Sequence, residues 1–353
     1  MAPIQIGVQF HLHYWNLSIP ELVKLGQMAK AGGVEQLWVT DNLERRNSFV
    51  VLAALAANIP INLGTALTVQ YFRNPVDAAD SIAAIGEMMD GTELSIGLGR
   101  GNPSTPNLLH APKPVSMLRE TAQSLHGLLA GEAVSFRDYP TLASYFNFNP
   151  AKSFRLNFDS KTPTRLYCGG NRPLALAVAG EFMDGLIFGG EFKAVAATGR
   201  LPSLLQIFDE AARNAGKEES LPKVAQVKLS VSRDKNAARE FARVNAGRRI
   251  LGMRRVGFTP EDIMRLGVAP EEVDRLEIAN RDGASPQQFG RLVSDAMLDA
   301  IFVAGDPAHC RERMLEVRET AHEHGFQQLK FSELGPDPKE SIRLLCEEII
   351  PAL

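Results

Sequence analysis

Cysteine is scarce in this sequence: there are three in 353 residues, Cys168, Cys310 and Cys346. They are odd in number, scattered and without metal-ligand spacing. That pattern excludes a disulfide framework and a thiolate metal centre, and it predicts reduced thiols in a cytoplasmic protein. An excess of charge of one sign is also missing. The formal net charge is −3, and no large block of like charge occurs, which argues against nucleic acid or an anionic membrane as partner. No run approaches the roughly 18 apolar residues of a membrane span. The opening residues, Met1-Ala-Pro-Ile-Gln-Ile-Gly-Val8, lack a basic region followed by a long apolar stretch, so no signal peptide is expected. Short repeats and low-complexity tracts are absent too.

What the chain does have is 45% hydrophobic residues, enough for a large core, and a regular alternation of short apolar runs with longer helical patterns. Strands are expected at Ile4–Phe10, Gln36–Thr40, Ile61–Thr68, Glu93–Leu98, Arg165–Gly169, Gly185–Phe188, Val224–Val231 and Gln327–Ser332. Each feeds a helical pattern, such as Pro20–Ala31, or Pro75–Met89 with proline at the first position, where its missing N–H costs nothing. Nearly continuous apolar strands suit a parallel sheet covered on both faces. Right-handed crossovers allow a doubly wound sheet or a closed barrel. The count of eight predicts an α/β fold of the (β/α)8 TIM-barrel type. The reading is one domain over 1–353, with insertions at about 131–163 and 252–302. Chemistry then belongs at the C-terminal ends of the strands. Those ends carry Gln9, His11 and His13, then Asp41, then Ala66–Thr68, then Gly99–Asn102, then Gly169–Pro173.

His11 and His13 sit two apart, so they share a strand face. Imidazole is easily tuned to acid or base work near neutral pH, and polar pocket lining is the other reading. Two histidines without a nearby cysteine or carboxylate at ligand spacing do not make a metal site, and none is expected. Asp41 ends the second strand and serves either to position substrate or to cap a loop. Gly97-Leu-Gly-Arg-Gly101 offers backbone N–H groups and the Arg100 fork to a phosphate, or simply makes a tight turn. Gly169-Gly-Asn-Arg-Pro173 opens a helix whose dipole favours an anion. The aromatic stretch Phe136–Phe158 is a lid, a packing loop or a subunit contact. Arg248, Arg249, Arg254 and Arg255 form a basic cluster that reads as a solvated helix face or as a site for an acidic ligand.

Five segments together resemble the luciferase-like flavin enzymes and, within them, the archaeal methylene-tetrahydromethanopterin reductases. They are Leu63-Gly-Thr-Ala-Leu-Thr-Val-Gln-Tyr-Phe-Arg-Asn-Pro75; Leu94-Ser-Ile-Gly-Leu-Gly-Arg-Gly-Asn102; Tyr167-Cys-Gly-Gly-Asn-Arg-Pro173 with Ala179-Gly-Glu-Phe-Met-Asp-Gly185; the run Val293 to Pro307; and Leu334-Gly-Pro-Asp337 before a final helix. The resemblance implies an oxidoreductase that transfers hydride between F420 or FMN and a small-molecule substrate, working as a homodimer. An FMNH2-dependent monooxygenase and a non-catalytic partner subunit are the alternatives. It further implies a strand-three bulge with a non-proline cis peptide at Ala66–Leu67 facing the ring. Gly64, Thr65, Ala66, Leu67 and Thr68 would lie at the cofactor. So would Gly99, Arg100 and Gly101, and Gly169, Gly170, Asn171, Arg172 and Pro173, the last two groups near its phosphate-bearing tail. Gln9, His11, His13 and Asp41 would surround the reacting atoms. The chain departs from the reductases at two places. Gln9 stands where they generally carry glutamate, and an amide cannot transfer a proton as a carboxylate can. Arg172-Pro173 stands where deazaflavin relatives usually have Gly-Pro.

Overall fold

The inward and outward faces of the strands are packed very differently, and that difference builds the site. The computed structural model describes residues 3–12, 15–101, 109–158, 162–217 and 220–353. Its strands are β1 (Gln5–Phe10), β2 (Gln36–Val39), β3 (Asn62–Val69), β4 (Leu94–Gly99), β5 (Val134–Ser135), β6 (Ser153–Phe154), β7 (Thr164–Gly169), β8 (Gly185–Phe188), β9 (Lys223–Val231), β10 (Phe302–Gly305) and β11 (Gln328–Leu334). Eight of them form a closed parallel ring in the order β1-β2-β3-β4-β7-β8-β9-β11, and the β8–β9 and β11–β1 pairings complete it. This is the (β/α)8 barrel that the alternation predicts. β10 was not expected. It pairs with the upper half of β9, from Phe302 opposite Lys228 to Gly305 opposite Val231, beyond the point where β8 ends.

Outside the ring, strand residues such as Val8, Leu37, Leu63, Ile96, Leu229 and Phe331 are buried against the helices in the main core. Burying such side chains contributes about 1.5–3 kcal/mol each, and this layer carries most of the fold's stability. The apolar group inside the ring is small: Trp38, Ala66, Tyr167, Ile187 and Val224, with Leu67 against it. Large rings fit there because glycines face them. A Cβ on Gly64 would stand 2.8 Å from the Trp38 ring, and one on Gly185 would stand 2.3 Å from that of Tyr167.

Helix starts follow the local chemistry of the sequence. Asn74 accepts a hydrogen bond from the Asp77 amide ahead of Pro75, and Asp306 accepts one from the His309 amide ahead of Pro307; each satisfies a backbone donor that the helix leaves open. In its described residues the 131–163 segment is more ordered than its composition suggests. It holds the β5–β6 hairpin and a helix, Pro140–Phe146. Phe136 stacks on Phe148 at 3.9 Å, and both meet Phe154 edge-on. This aromatic segment joins the main core, to which Val134, Phe136 and Leu142 belong, with Phe148 and Phe154 packed against it. The chain from 252 to 302 is helical, with helices Pro260–Arg265, Pro270–Arg281, Pro286–Arg291 and Asp295–Ile301. Among the described residues no helix is long and apolar enough to cross a membrane, and no cluster of histidine, cysteine and carboxylate groups suits a metal ion.

Candidate active site at the barrel mouth

Two adjacent strands carry the same pattern: Gln226-Val-Lys-Leu-Ser230 in β9 and Gln328-Leu-Lys-Phe-Ser332 in β11. Their register is offset by two, so Lys330 lies opposite Gln226 and Ser332 opposite Lys228. Both lysines are buried, at 1% exposure for Lys228 and 0% for Lys330. A buried ammonium needs compensation, and the two obtain it differently. Lys228 Nζ meets Glu333 Oε1 at 2.5 Å, with the Phe302 ring of β10 at 5.4 Å. Among the described residues Lys330 has no carboxylate in hydrogen-bond or ion-pair contact. It donates to the side-chain oxygens of Gln9 at 2.5 Å and Gln226 at 3.0 Å, and its Nζ lies 5.8 Å from the Trp38 ring.

Burial, and then the positive charge of Lys228, pull the Lys330 pKa well below the ordinary lysine value. Burial also works against ionised Glu333, but Lys228, His11 and Arg249 outweigh it, so its carboxyl is held below the usual range. Burial pulls Lys228 down while Glu333 pushes it up. For this pair the 2.5 Å contact carries the ionised form. Strand alternation would turn Glu333 away from the face shared by Lys330 and Ser332. Its φ of 73°, followed by the same φ at Leu334, breaks that alternation. Two successive non-glycine residues in the left-handed region cost about 1 kcal/mol or more each, which the buried ion pair helps to offset.

At the end of β1, Gln9 and His11 are both buried, and Gln9 Nε2 lies 3.0 Å from His11 Nε2. Gln226 Nε2 donates to Ser332 Oγ at 3.2 Å. Above β8, Gly190 lies close over Lys228: a Cβ there would be 2.8 Å from Lys228 Cε. Glu191 accepts from Arg249 at 3.0 Å and from Asn171 Nδ2 at 3.4 Å. Arg249 therefore leaves the group of solvated helix arginines and joins the rim of the mouth.

The other side of the mouth is apolar. β3 bulges between Thr65 and Thr68 against β4, and the Ala66–Leu67 peptide there is cis. The half-buried Leu67 side chain rests on glycines from two neighbouring strands. A Cβ would come within 3.0 Å of it at Gly97, 2.5 Å at Gly99 and 2.0 Å at Gly169. Gly99 and Gly169 thus have a packing role that explains them without a phosphate. Gly64 and Thr65 lie lower in the wall: Gly64 faces Trp38, and Thr65 Oγ1 donates to the Gly97 carbonyl at 3.2 Å.

The remaining expected residues spread around the rim. Asp41 is buried and takes a bidentate pair from Arg73, at 2.6 and 3.1 Å, while Arg73 packs on the Phe49 ring. It is one half of a fork-to-fork ion pair. Arg100 and Gly101, directly after β4, are exposed; in the loop from β7 into the helix Pro173–Phe182, Gly170 and Asn171 are half-buried and Arg172 and Pro173 exposed. His13 lies outside the described residues. The three cysteines are free and buried. Burial pushes the thiols of Cys168 and Cys310 up to about 12 and that of Cys346 to about 11, so none is poised as a nucleophile.

With this geometry in view, the chain's similarities to known proteins acquire a site. A family model described as luciferase-like monooxygenase matches residues 4–324. The chain belongs to that family. It is 28% identical over 359 residues to a 5,10-methylenetetrahydromethanopterin reductase of Archaeoglobus fulgidus, covering 99% of this chain and 100% of the relative. Among solved structures it is similar to the coenzyme F420-dependent tetrahydromethanopterin reductase of Methanopyrus kandleri, with a TM-score of 0.78, 21% identity and 99% of each chain covered. It is also similar in fold to an F420-dependent secondary alcohol dehydrogenase solved with an F420–acetone adduct, with a TM-score of 0.68, 21% identity and 99% of each chain covered.

The residues at the mouth fit a flat ring system with a polar tail. Leu67 offers an apolar bed. Thr68 Oγ1 is buried and has no hydrogen-bond partner among the described residues. A Cβ on Gly170 would meet only Ala175, at 3.4 Å, so a tail could approach the backbone there.

The polar half was the part that sequence reading missed. Gln9 and His11 were expected, but Lys228, Lys330, Glu333 and Gln226 were not. The signal was present only as the repeat Gln-x-Lys-x-Ser, whose polar residues at alternate positions share the strand face that turns into the barrel.

Proposed function

We propose that this chain is a hydride-transfer oxidoreductase acting on a small organic substrate, with the deazaflavin F420 as its carrier. The divided barrel mouth carries the reading: an apolar glycine-and-leucine bed faces a buried wall of lysine, glutamine and histidine. End-to-end similarity to an F420-dependent reductase supports F420. When bound, the carrier supplies the hydride, and the protein supplies position and electrostatics. Ala66, Leu67 and Thr68 would bed the ring. Gly170 and Asn171, the start of the helix at Pro173, and the exposed forks of Arg100 and Arg172 would hold the phosphate tail. Gln9 and His11 would face the reacting atoms, with Asp41 fixed by Arg73. Gln9 cannot donate an acidic proton, so the substrate differs from one that needs a carboxylate at that position.

The test is a spectroscopic titration of the purified chain with F420 and with FMN. Saturable F420 binding at micromolar concentration is expected. Tight FMN binding with oxygen uptake, and no F420 binding, would overturn the F420 assignment. That second reading, an FMN-dependent monooxygenase, is favoured by one observation: Arg172-Pro173 stands where the resemblance leads one to expect Gly-Pro.

The reading extends to one barrel unit with two insertions, paired as a homodimer in a reducing, cytoplasmic setting. Exposed Val50 and Leu43, on and beside the helix Ser48–Ala56, support pairing there. The three free cysteines support the compartment.

A further inference from the structure

Four side chains form a line inside the barrel that ends on His11. Ser332 Oγ meets Gln226 Nε2 at 3.2 Å, Gln226 Oε1 meets Lys330 Nζ at 3.0 Å, Lys330 Nζ meets Gln9 Oε1 at 2.5 Å, and Gln9 Nε2 meets His11 Nε2 at 3.0 Å. The direction of this line follows from what each group can do. A lysine ammonium has three donors and no acceptor, and a neutral amine keeps two donors beside one lone pair; the Nζ contacts to Gln9 and Gln226 are both made to oxygen. Lys330 spends two on the glutamines, so both amide oxygens turn toward it. That fixes the far side of each amide. Gln9 is left with its NH2 group against His11, and an amide NH2 has no lone pair to offer. The 3.0 Å contact is a hydrogen bond only if His11 Nε2 accepts. A neutral imidazole that accepts at Nε2 carries its proton on Nδ1.

We infer that Lys330 is a positioning residue that acts through Gln9 to hold His11 as the neutral Nδ1–H tautomer. Lys228, at 2.5 Å, is the largest of the charges that hold Glu333 ionised, and His11 and Arg249 add to it; the His11 contribution belongs to the ring once protonated, not to the neutral ring. With the Nε2 lone pair taken by Gln9 and the proton on Nδ1, the His11 ring keeps a donor and has no lone pair left to act as a base. It is suited to a carbonyl or other oxygen that gains electron density, and unsuited to deprotonating an alcohol. This consequence rests on the hydride-transfer reading of the mouth. The tautomer itself rests only on the side chains.

The residue type at position 9 thereby gains a function. A glutamate there would only accept. It would pair with Lys330 through one oxygen and call for a proton on His11 Nε2 through the other. Exchange of Gln for Glu would reverse the tautomer of a histidine two residues away without changing the backbone. Lys330 and position 9 together set whether His11 points a donor or a lone pair at its surroundings.

The experiment is a long-range proton–nitrogen NMR correlation on full-length, cofactor-free protein labelled with 15N-histidine. His11 is picked out of the seven histidines by the loss of its signals in His11→Asn. The wild type is expected to show a protonated nitrogen at Nδ1 and a bare one at Nε2. Gln9→Glu is expected to move the proton to Nε2, and Lys330→Met, which frees the amide to flip, to give both tautomers. An Nε2–H or doubly protonated ring in the wild type at neutral pH overturns the inference. So does an Nδ1–H ring that persists in Gln9→Glu, and an unchanged ring in Lys330→Met removes the lysine's part. The wild-type spectrum decides the tautomer even if a variant fails to fold. Because no carrier is present, failure of the F420 titration leaves this result standing.

Discussion

The two halves of the barrel mouth are built on opposite principles. On the β3–β4–β7 side, the absence of side chains does the work: Gly97, Gly99 and Gly169 leave the space that Leu67 fills. On the β9–β11–β1 side, the presence of charge does it: Lys228, Glu333 and Lys330 are buried with Gln9, Gln226 and His11. A flat aromatic carrier needs a bed without projecting atoms, and a substrate that changes charge needs fixed dipoles nearby. Neither half could serve the other's purpose. The contrast also predicts different failure modes: the polar half breaks by losing a partner, the apolar half by gaining a methyl.

The largest effect is expected from Glu333→Gln. It leaves the Lys228 charge buried without its carboxylate, and breaking a buried pair from one side costs about 3–5 kcal/mol. Urea unfolding should show that loss as a lower midpoint. Should the loss stay under about 1 kcal/mol, Lys228 is neutral in the fold and the half is less polar than its composition. In acid the same pair gives a sign. Glu333 is depressed in the fold, so its contribution is present above the ordinary carboxyl pKa and lost as pH falls through the depressed value. Glu333→Gln should remove that part of the acid sensitivity.

The apolar half is tested by Gly169→Ala, whose Cβ would lie 2.0 Å from Leu67 Cδ2. Overpacking of this kind costs about 1–3 kcal/mol. In a Leu67→Ala background the clash has no partner, and most of that cost should vanish. A double-mutant cycle reads the difference as a coupling of about 0.5–3 kcal/mol. Additive effects would mean that the glycine serves something other than Leu67. The same variants bear on the carrier, because Gly169→Ala should also weaken F420 binding, by about tenfold for each 1.4 kcal/mol of bed distortion.

The two halves also differ in how much of them the sequence disclosed. The barrel was legible because its outer layer obeys periodicity: Val8, Leu63 and Ile96 are apolar for the plain reason that helices cover them. The glycines of the bed were visible as a motif, but their purpose was not. A Gly-Leu-Gly-Arg-Gly run reads equally as a phosphate loop or a turn until Leu67 is seen lying on it. The polar half was hidden for a different reason. Single lysines in apolar strands carry no local pattern, and the repeat that marks them, Gln-x-Lys-x-Ser, lies in strands about a hundred residues apart by sequence number. Only the closing of the ring makes them neighbours. Glu333 was further concealed by its left-handed backbone, which defeats the alternation rule used to assign faces. Asp41 was legible as a carboxylate at a strand end, but its partner Arg73 sits beyond the next strand, where no spacing rule reaches.

The smallest effect has the most informative sign. Lys330 is buried beside another cation and touches no carboxylate, so the polar half contains one group that lowers stability. Lys330→Met keeps the stem's volume and removes the charge. A gain on the order of 1 kcal/mol near neutral pH is expected, as when buried ionic groups are replaced by apolar ones of similar size. The pH dependence separates this from a packing effect. Lys330 has a folded pKa below its ordinary value of 10.5. Between those two values the unfolded chain binds more protons than the folded one, so wild-type stability rises with pH there. Below the folded value the penalty is complete, and above the ordinary value it is gone. The advantage of Lys330→Met over wild type should therefore shrink as pH climbs toward that value, measured as the difference in urea midpoints. A difference that grows with pH would make Lys330 a stabilised ammonium and bring the two lysines under one rule. A constant difference would assign the gain to packing alone.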